Sequence, residues 1–154
     1  MTRQEKAVKY FRDGFHCSQA VLVSYAEECG LTEEQALKLG SCFGGGMRRG
    51  EVCGACTGAL MVLGLKYASG DPDDPEAPAA PNEQAVRFLD EFKKRRGSCL
   101  CRELLGCDPN TDEGYAIVEE KALFETVCPQ LVQTAGEILQ EMLGLDKYPA
   151  DAIS

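Results

Sequence analysis

The sequence predicts an all-α, single-domain bundle of about five to seven helices. Two observations predict it: apolar residues recur at helical spacing along most of the chain, and no run shows the two-residue period of a strand. A chain of 154 residues has the size of one ordinary domain, and either half alone would have a marginal core. We therefore expect residues 1–154 to form one helical cysteine-motif domain.

Three helices are predicted in the first 40 residues. Apolar residues at helical spacing predict the first over residues 4–11. The second begins near Cys17 and ends at Gly30, because glycine readily takes the left-handed conformation that follows a helix. The third ends at Gly40 and is capped by Thr32, which starts a Thr-Glu-Glu-Gln capping box.

The middle of the chain predicts a buried helix between two loops. A glycine-rich stretch at 43–50 leads into an apolar run over 52–67, which exceeds the usual strand length and is rich in helix-forming Ala, Leu and Met. We expect this run to form the helix at the centre of the bundle. The Pro- and Asp-rich residues 70–81 follow and predict an exposed loop, since they cannot continue a helix or bury apolar surface.

Four helices are predicted after this loop. Asn82 is expected to cap a helix that ends at the basic run 93–96, where cations complement the helix dipole. A short helix should begin at Ser98, another should begin at Thr111, and Pro129 should be the first residue of the last helix.

Charge and hydropathy exclude two classes of partner. Sixteen Lys and Arg against 25 Asp and Glu give a formal net charge of −9, which predicts no nucleic-acid binding. The longest apolar stretch, near residues 59–65, is far shorter than a membrane span, and the N-terminus lacks the apolar core of a signal peptide. We expect a cytoplasmic protein without membrane insertion.

Cysteines are the unusual feature of the composition. Nine cysteines accompany a single His and no Trp, and an odd number cannot all pair within one chain. A reducing cytosol would keep structural disulfides open, which favours metal binding or redox chemistry, although a free cysteine is often only a small buried apolar residue. The nine are Cys17, Cys29, Cys42, Cys53, Cys56, Cys99, Cys101, Cys107 and Cys128.

Four of these cysteines stand at predicted helix starts. Cys17 opens the second helix, Cys53 opens the buried helix, Cys101 lies in the first turn after Ser98, and Cys128 precedes Pro129. Unpaired N–H groups and the partial positive charge at a helix N-terminus stabilise an anion, so each thiol has a local reason for a lowered pKa. Thiolate is the form that attacks disulfides and binds metal.

Cys53 and Cys56 also form a C-x-x-C pair, with Arg48 and Arg49 upstream to favour a thiolate at Cys53. The pair favours redox chemistry without identifying the kind of site, because a thioredoxin would require a βαβ unit and a zinc ribbon would require a second close pair. No C-x-x-C-H for haem attachment is present. His16, beside Cys17, is more simply interpreted as an ordinary surface or core residue.

Several segments together resemble one known family, the redox-active proteins named C_GCAxxG_C_C for a CGAxxG motif with further cysteines. The segments are GFHCSQAV at 14–21, FGGGM at 43–47, CGACTGA at 53–59, CRELLG at 101–106 and CP at 128–129. The resemblance implies that Cys17, Cys53, Cys101 and Cys128 are the characteristic cysteines. The family is similar to the C-terminal part of split-Soret cytochrome c, which implies a [2Fe–2S] cluster on these four thiolates.

Three hypotheses about function remain open. In the first, the four motif cysteines bind an iron–sulfur cluster, or another metal such as zinc, for electron transfer. In the second, the catalytic residues are Cys53, which attacks a disulfide, and Cys56 or a spatial neighbour, which resolves it, without a cofactor. In the third, the chain is a non-catalytic helical binding protein with inert cysteines.

The partners and the remaining cysteines are less defined. We expect a redox partner protein whose identity the sequence does not give, and a homodimer remains open. Cys29, Cys42, Cys99 and Cys107 fall outside the motif cysteines, so a second pair and plain packing are both open for them.

Overall fold

The all-α prediction is confirmed. A computed structural model describes residues 1–75 and 79–144, and within these residues it contains nine helices and no strand. Seven helices have seven residues or more, and the short α6 and α8 raise the total above the predicted five to seven. The helices are α1 Arg3–Arg12, α2 Cys17–Ser24, α3 Glu33–Gly40, α4 Gly54–Tyr67, α5 Ala79–Arg96, α6 Cys101–Leu105, α7 Asp112–Lys121, α8 Leu123–Thr126 and α9 Cys128–Leu143.

The side chains of Thr32 and Thr111 cap the helices that were predicted to begin at these residues. The Thr32 hydroxyl accepts a hydrogen bond from the Gln35 N–H, and the Gln35 side chain accepts one from the Thr32 N–H. Thr111 caps α7 through the Gly114 N–H. These caps satisfy N–H groups that have no partner inside the helix.

The second helix ends at Ser24, six residues before the predicted Gly30. Tyr25 leaves the helical conformation, and its N–H bonds to the carbonyls of Leu22 and Val23. The fully buried Tyr25 hydroxyl donates to the Gly136 carbonyl on α9. Residues 25–30 form turns. The sequence around Tyr25 gives no sign of its contact with α9, which is why the prediction extended the helix to Gly30.

The predicted loop at 70–81 is shorter than expected. Helix α5 begins at Ala79, so Pro81 lies in its first turn and Asn82 is inside the helix and not its cap. Proline is accepted there because the first N–H groups of a helix have no partner in any case. Residues 70–75 are largely exposed, as predicted, and residues 76–78 lie outside the described residues.

Two other helix starts also differ from the prediction. Helix α6 begins at Cys101 with Leu100 as its cap, because residues near Ser98 instead form an antiparallel bridge between Val52 and Leu100. Helix α9 begins at Cys128, with Val127 as its cap and Pro129 second.

Helices α2, α4 and α9 contact one another at the centre of the bundle. Helix α4 packs against α2, α5 and α9, and α1 packs between α2 and α9. Every residue from Ala20 to Ala26 is buried, so α2 and the turn after it are covered more completely than α4, whose Leu65 is exposed. None of the described helices is long and apolar enough to span a bilayer.

Candidate functional site

The four motif cysteines line a single cavity of about 800 Å³. Cys17, Cys101 and Cys128 are the first residues of α2, α6 and α9, and Cys53 is the N-cap of α4. Four helix starts therefore face one space. The half-exposed rings of Phe15, Tyr115 and Phe124 and the side chains of Arg12, Arg48 and Arg49 also contribute to its wall.

A short backbone pairing holds the starts of α4 and α6 side by side. The Cys53 N–H donates to the Cys99 carbonyl at 2.7 Å, and the Cys101 N–H donates to the Glu51 carbonyl at 2.7 Å. These two bonds flank the Val52–Leu100 bridge. Residues almost 50 positions apart are thereby fixed next to each other, which brings Cys101 to the same cavity as Cys53.

The start of α2 meets the start of α4 at a glycine. Gly54 follows Cys53, and a Cβ on this residue would overlap the Cys17 Sγ. The Cys17 thiol is hydrogen-bonded to the Cys53 sulfur. Next to it, the buried Ser18 hydroxyl donates to the Gly40 carbonyl at 2.7 Å, which anchors the first turn of α2. Glycine at position 54 is therefore required for the contact between the two sulfurs.

Among the four motif cysteines, Cys53 alone has a lowered pKa. Hydrogen bonds from the thiols of Cys17 and Cys56 hold the pKa of Cys53 well below its ordinary value, and the backbone N–H groups of Ala55 and Cys56 contribute in the same direction. These groups outweigh the burial of Cys53, which acts in the opposite direction. The pKa values of the two donors, Cys17 and Cys56, are raised, because a thiol that donates to a thiolate keeps its proton.

The helix-start argument predicted lowered pKa values at all four cysteines, and for three of them it is wrong. Burial, followed by the charge on Cys53, raises the pKa of Cys101 to about 12 and that of Cys128 to about 12. The pKa of Cys17 is raised by its hydrogen bond to Cys53 and by burial. Burial, together with the charge on Cys53, disfavours further negative charge at these positions more strongly than the helix termini favour it.

Cys56 continues the line of sulfurs away from the cavity. It is fully buried and contacts both Cys53 and Cys99. The hydrogen bond from Cys56 lowers the pKa of Cys99, and the Cys99 Sγ lies 3.4 Å from the Leu89 carbonyl of α5. Four sulfurs thus form a series, in the order Cys17, Cys53, Cys56, Cys99.

Three cysteines belong neither to this series nor to the four motif cysteines. Cys107 is half-buried, and its Sγ lies 3.6 Å from the Gly114 carbonyl. Burial raises the pKa of Cys29, and Cys42 is exposed beside Ser41. All nine cysteines are free thiols in this structure.

The glycine-rich turn positions residues that the sequence analysis did not connect to the site. Met47 and Arg48 both have positive φ, 58° and 60°, and this conformation brings the Arg48 Nη2 to 3.0 Å from the His16 Nε2. Burial and the Arg48 charge lower the pKa of His16, so the neutral ring accepts this bond. The Asn110 amide donates to the Gly45 carbonyl at 2.8 Å, and no sequence signal indicated this tether.

No single metal ion finds a complete set of ligands among the described residues. Within residues 1–75 and 79–144, no group of three or more His, Cys, Asp or Glu side chains is arranged to hold one ion. The four motif sulfurs share a cavity, and a hydrogen bond joins Cys17 to Cys53.

A comparison with protein-family models matches residues 15–142 to the family described as "Putative redox-active protein (C_GCAxxG_C_C)". The match covers most of the chain and includes all four motif cysteines. Neither the curated proteins nor the solved structures contain a match to this chain.

Proposed function

The chain belongs to the C_GCAxxG_C_C family, and from this premise we propose that Cys17, Cys53, Cys101 and Cys128 bind an iron–sulfur cluster for electron transfer. One observation carries the proposal: the four cysteines stand at the starts of four helices that all face one cavity. A set of four thiols is the usual ligand set of such a cluster.

The arrangement of the sulfurs suits a cluster of two irons better than a single ion. A single tetrahedral ion such as zinc requires at least three protein ligands around one point, and no such group occurs among the described residues. In a [2Fe–2S] cluster each iron takes two cysteines, so the ligands need not converge on one point. The hydrogen bond between Cys17 and Cys53 supplies one close pair, and Cys101 and Cys128, which line the same cavity, would supply the other two ligands.

The protein would supply thiolates, positive helix ends and shielding from water. Cysteine ligands bind as thiolates, and the pKa values of Cys17, Cys101 and Cys128 are raised, so these thiols must lose their protons on binding and cluster retention should weaken as the pH falls. Four helix N-termini would then stabilise the anionic ligands, and Phe15 and Phe124 contribute apolar surface to the cavity wall. The cluster itself would supply a one-electron couple.

Absorbance and metal analysis of protein purified without oxygen test the proposal. We expect a coloured protein containing iron and sulfide, and loss of both when any one of the four motif cysteines is replaced by serine. Cys42→Ser is the matched control, because Cys42 is exposed and outside the cavity. A colourless, metal-free wild type after reconstitution with iron and sulfide would contradict the proposal, and zinc alone would favour a different metal.

The position of Cys53 favours a second candidate function, dithiol–disulfide exchange. Its sulfur is hydrogen-bonded to the thiols of Cys17 and Cys56, and either of these would resolve a mixed disulfide formed on Cys53. Cys53 would attack a substrate disulfide and release one thiol. The neighbouring cysteine would then attack the Cys53 sulfur and release the second thiol, leaving an intramolecular disulfide.

Disulfide mapping of metal-free protein distinguishes this candidate from the cluster. Oxidation with a small disulfide should link Cys53 to Cys17 or Cys56, and Cys53→Ser should abolish the link while Cys42→Ser leaves it intact. If Cys53 remains a free thiol in the oxidised wild type, the candidate is wrong.

A further inference from the structure

Three arginines line the cavity without an ion-pair partner in the described part of the chain. Arg12, Arg48 and Arg49 contribute to the wall, and none of them pairs with an acidic side chain within residues 1–75 and 79–144. Glu125 is the one acidic side chain among the described residues that line the cavity. In a chain with a net charge of −9, basic side chains therefore outnumber acidic ones at this wall.

Two contacts hold the glycine-rich turn that carries Arg48. The Arg48 Nη2 lies 3.0 Å from the His16 Nε2, and the His16 ring packs so closely on the turn that a Cβ at Gly44 would stand 2.7 Å from its Cγ. The Asn110 side chain also donates to the Gly45 carbonyl at 2.8 Å. Arg48 therefore lines the cavity from an anchored backbone, which reduces the entropy lost when it binds a ligand.

The backbone of this turn disfavours side chains at two positions that nevertheless carry them. Met47 and Arg48 have φ of 58° and 60°, in the left-handed region that glycine takes without steric penalty. Glycine at both positions would suffice for a turn that only connects two helices. Side chains held in such conformations concentrate at ligand-binding sites, and of these two residues only Arg48 lines the cavity.

Aromatic rings in the cavity wall are accessible to solvent. Phe15 is 36% exposed and Phe124 is 37% exposed, although both line the cavity. The Phe15 ring is held against Tyr10, with ring centroids 5.6 Å apart, and Phe15 directly precedes the His16 that contacts Arg48. An accessible ring and an arginine in one wall suit a ligand that has an acid group and an apolar body.

The cavity has room for such a ligand beside a cluster. Its volume of about 800 Å³ falls within the range of small-molecule sites, which is roughly 300–1,000 Å³. The four inorganic atoms of a [2Fe–2S] cluster would take only a small part of that volume. A ligand on the arginines would also not compete with the cluster for the cysteine sulfurs.

We infer that this cavity binds a small organic anion, whose carboxylate or phosphate group pairs with the Arg48 guanidinium and whose apolar body packs on Phe15. A planar guanidinium can donate two parallel hydrogen bonds to either acid group. Arg12 and Arg49 add positive charge to the same wall. This binding site goes beyond the cluster proposed above and depends on different residues.

A ligand-observed NMR titration of the full-length protein, purified without oxygen, tests the inference with benzoate, phenyl phosphate and neutral benzyl alcohol. We expect saturable binding of at least one of the two anions, with a dissociation constant of about 1 mM or lower. Benzyl alcohol should bind about tenfold more weakly or worse, because it lacks the charge that Arg48 pairs with. The anion that binds more tightly identifies the acid group as carboxylate or phosphate.

Substitutions at Arg48 separate binding from folding. Arg48→Gln should weaken anion binding by about tenfold or more, because a charged hydrogen-bond donor is lost. Arg87→Gln is the matched control, since Arg87 is exposed on α5 and outside the cavity wall. Arg48→Gly should weaken binding equally without lowering the melting temperature, because glycine accepts the left-handed conformation. Met47→Gly changes the same turn outside the cavity wall and should retain binding.

Three results would overturn the inference: no saturable binding of either anion, binding of benzyl alcohol as tight as that of the anions, or Arg48→Gln protein that binds the anions like the wild type. Iron content, measured separately in each variant, should equal that of the wild type. Loss of iron from Arg48→Gln, with no anion bound by the wild type, would show that Arg48 balances the charge of the cluster instead. Wild-type protein that binds benzoate but no iron would contradict the cluster proposal alone.

Discussion

Replacing Gly58 by alanine tests the packing that brings Cys17 to Cys53. Gly58 lies on α4 where the helix crosses α2, and a Cβ there would stand 2.7 Å from the Ser18 carbonyl oxygen and 3.2 Å from the Val21 Cβ. Gly64 lies on the same helix, and its Cβ would meet nothing within 4 Å. The two glycines therefore differ in packing but share a helical environment.

The size of the expected effect follows from how far this 2.7 Å separation is below an ordinary contact distance. A carbon–oxygen contact is ordinarily about 3.3–3.6 Å, so α2 and α4 must separate by roughly 0.6 Å or more to accept Gly58→Ala. Overpacking of this kind costs about 1–3 kcal/mol. Each substitution also gains about 0.5–1 kcal/mol from better helix propensity, which is the whole expected effect of Gly64→Ala. The difference between the two variants therefore isolates the packing cost.

Urea unfolding of both variants and the wild type measures this difference. We expect Gly64→Ala to be the most stable and Gly58→Ala to unfold about 1–3 kcal/mol below it, a difference of roughly 2–4 °C in melting temperature per kcal/mol. Because Ser18 directly follows Cys17, the displaced helix should also lower iron retention. Equal unfolding midpoints for the two variants would refute the close helix crossing.

Three further predictions concern stability. The pKa values of Cys101 and Cys128 are raised to about 12 in the folded protein, so the unfolded chain loses these protons at lower pH. The free energy of unfolding of reduced, metal-free protein should therefore fall as the pH rises from about 9 toward 12. Urea titrations that give the same free energy of unfolding across this range would contradict the prediction. Arg3→Met should lower the free energy of unfolding by about 3 kcal/mol, because it leaves the partly buried Glu28 without its ion pair. A loss below about 1 kcal/mol in the same assay would show that the ion pair contributes little. A Gly/Ser replacement of residues 70–75 should change it by less than about 0.5 kcal/mol because the segment is largely exposed, and a large drop in melting temperature would mean that the segment packs.

Interactions within one helical turn could be predicted from the sequence. The capping box at Thr32 was found because its partner Gln35 lies three residues away, and Pro129 marked the start of α9 to within one residue because the first turn of a helix accepts proline. The same local logic identified Cys17, Cys53 and Cys128 at helix starts. It also extended α2 to Gly30, because nothing nearby shows that Tyr25 bonds to a distant helix.

The sequence by itself therefore determined the helical class, most helix starts and the four cysteines that stand at them. The tertiary structure alone decided which sulfurs meet and which of them carries the charge. The bridge between Val52 and Leu100 joins segments almost 50 residues apart, and it is this pairing that brings Cys99 to Cys56 and Cys101 to the cavity. A thiol's pKa depends on burial and on neighbouring sulfurs as well as on its own helix, so local position could favour four thiolates where the folded protein lowers the pKa of one of the four and raises the others.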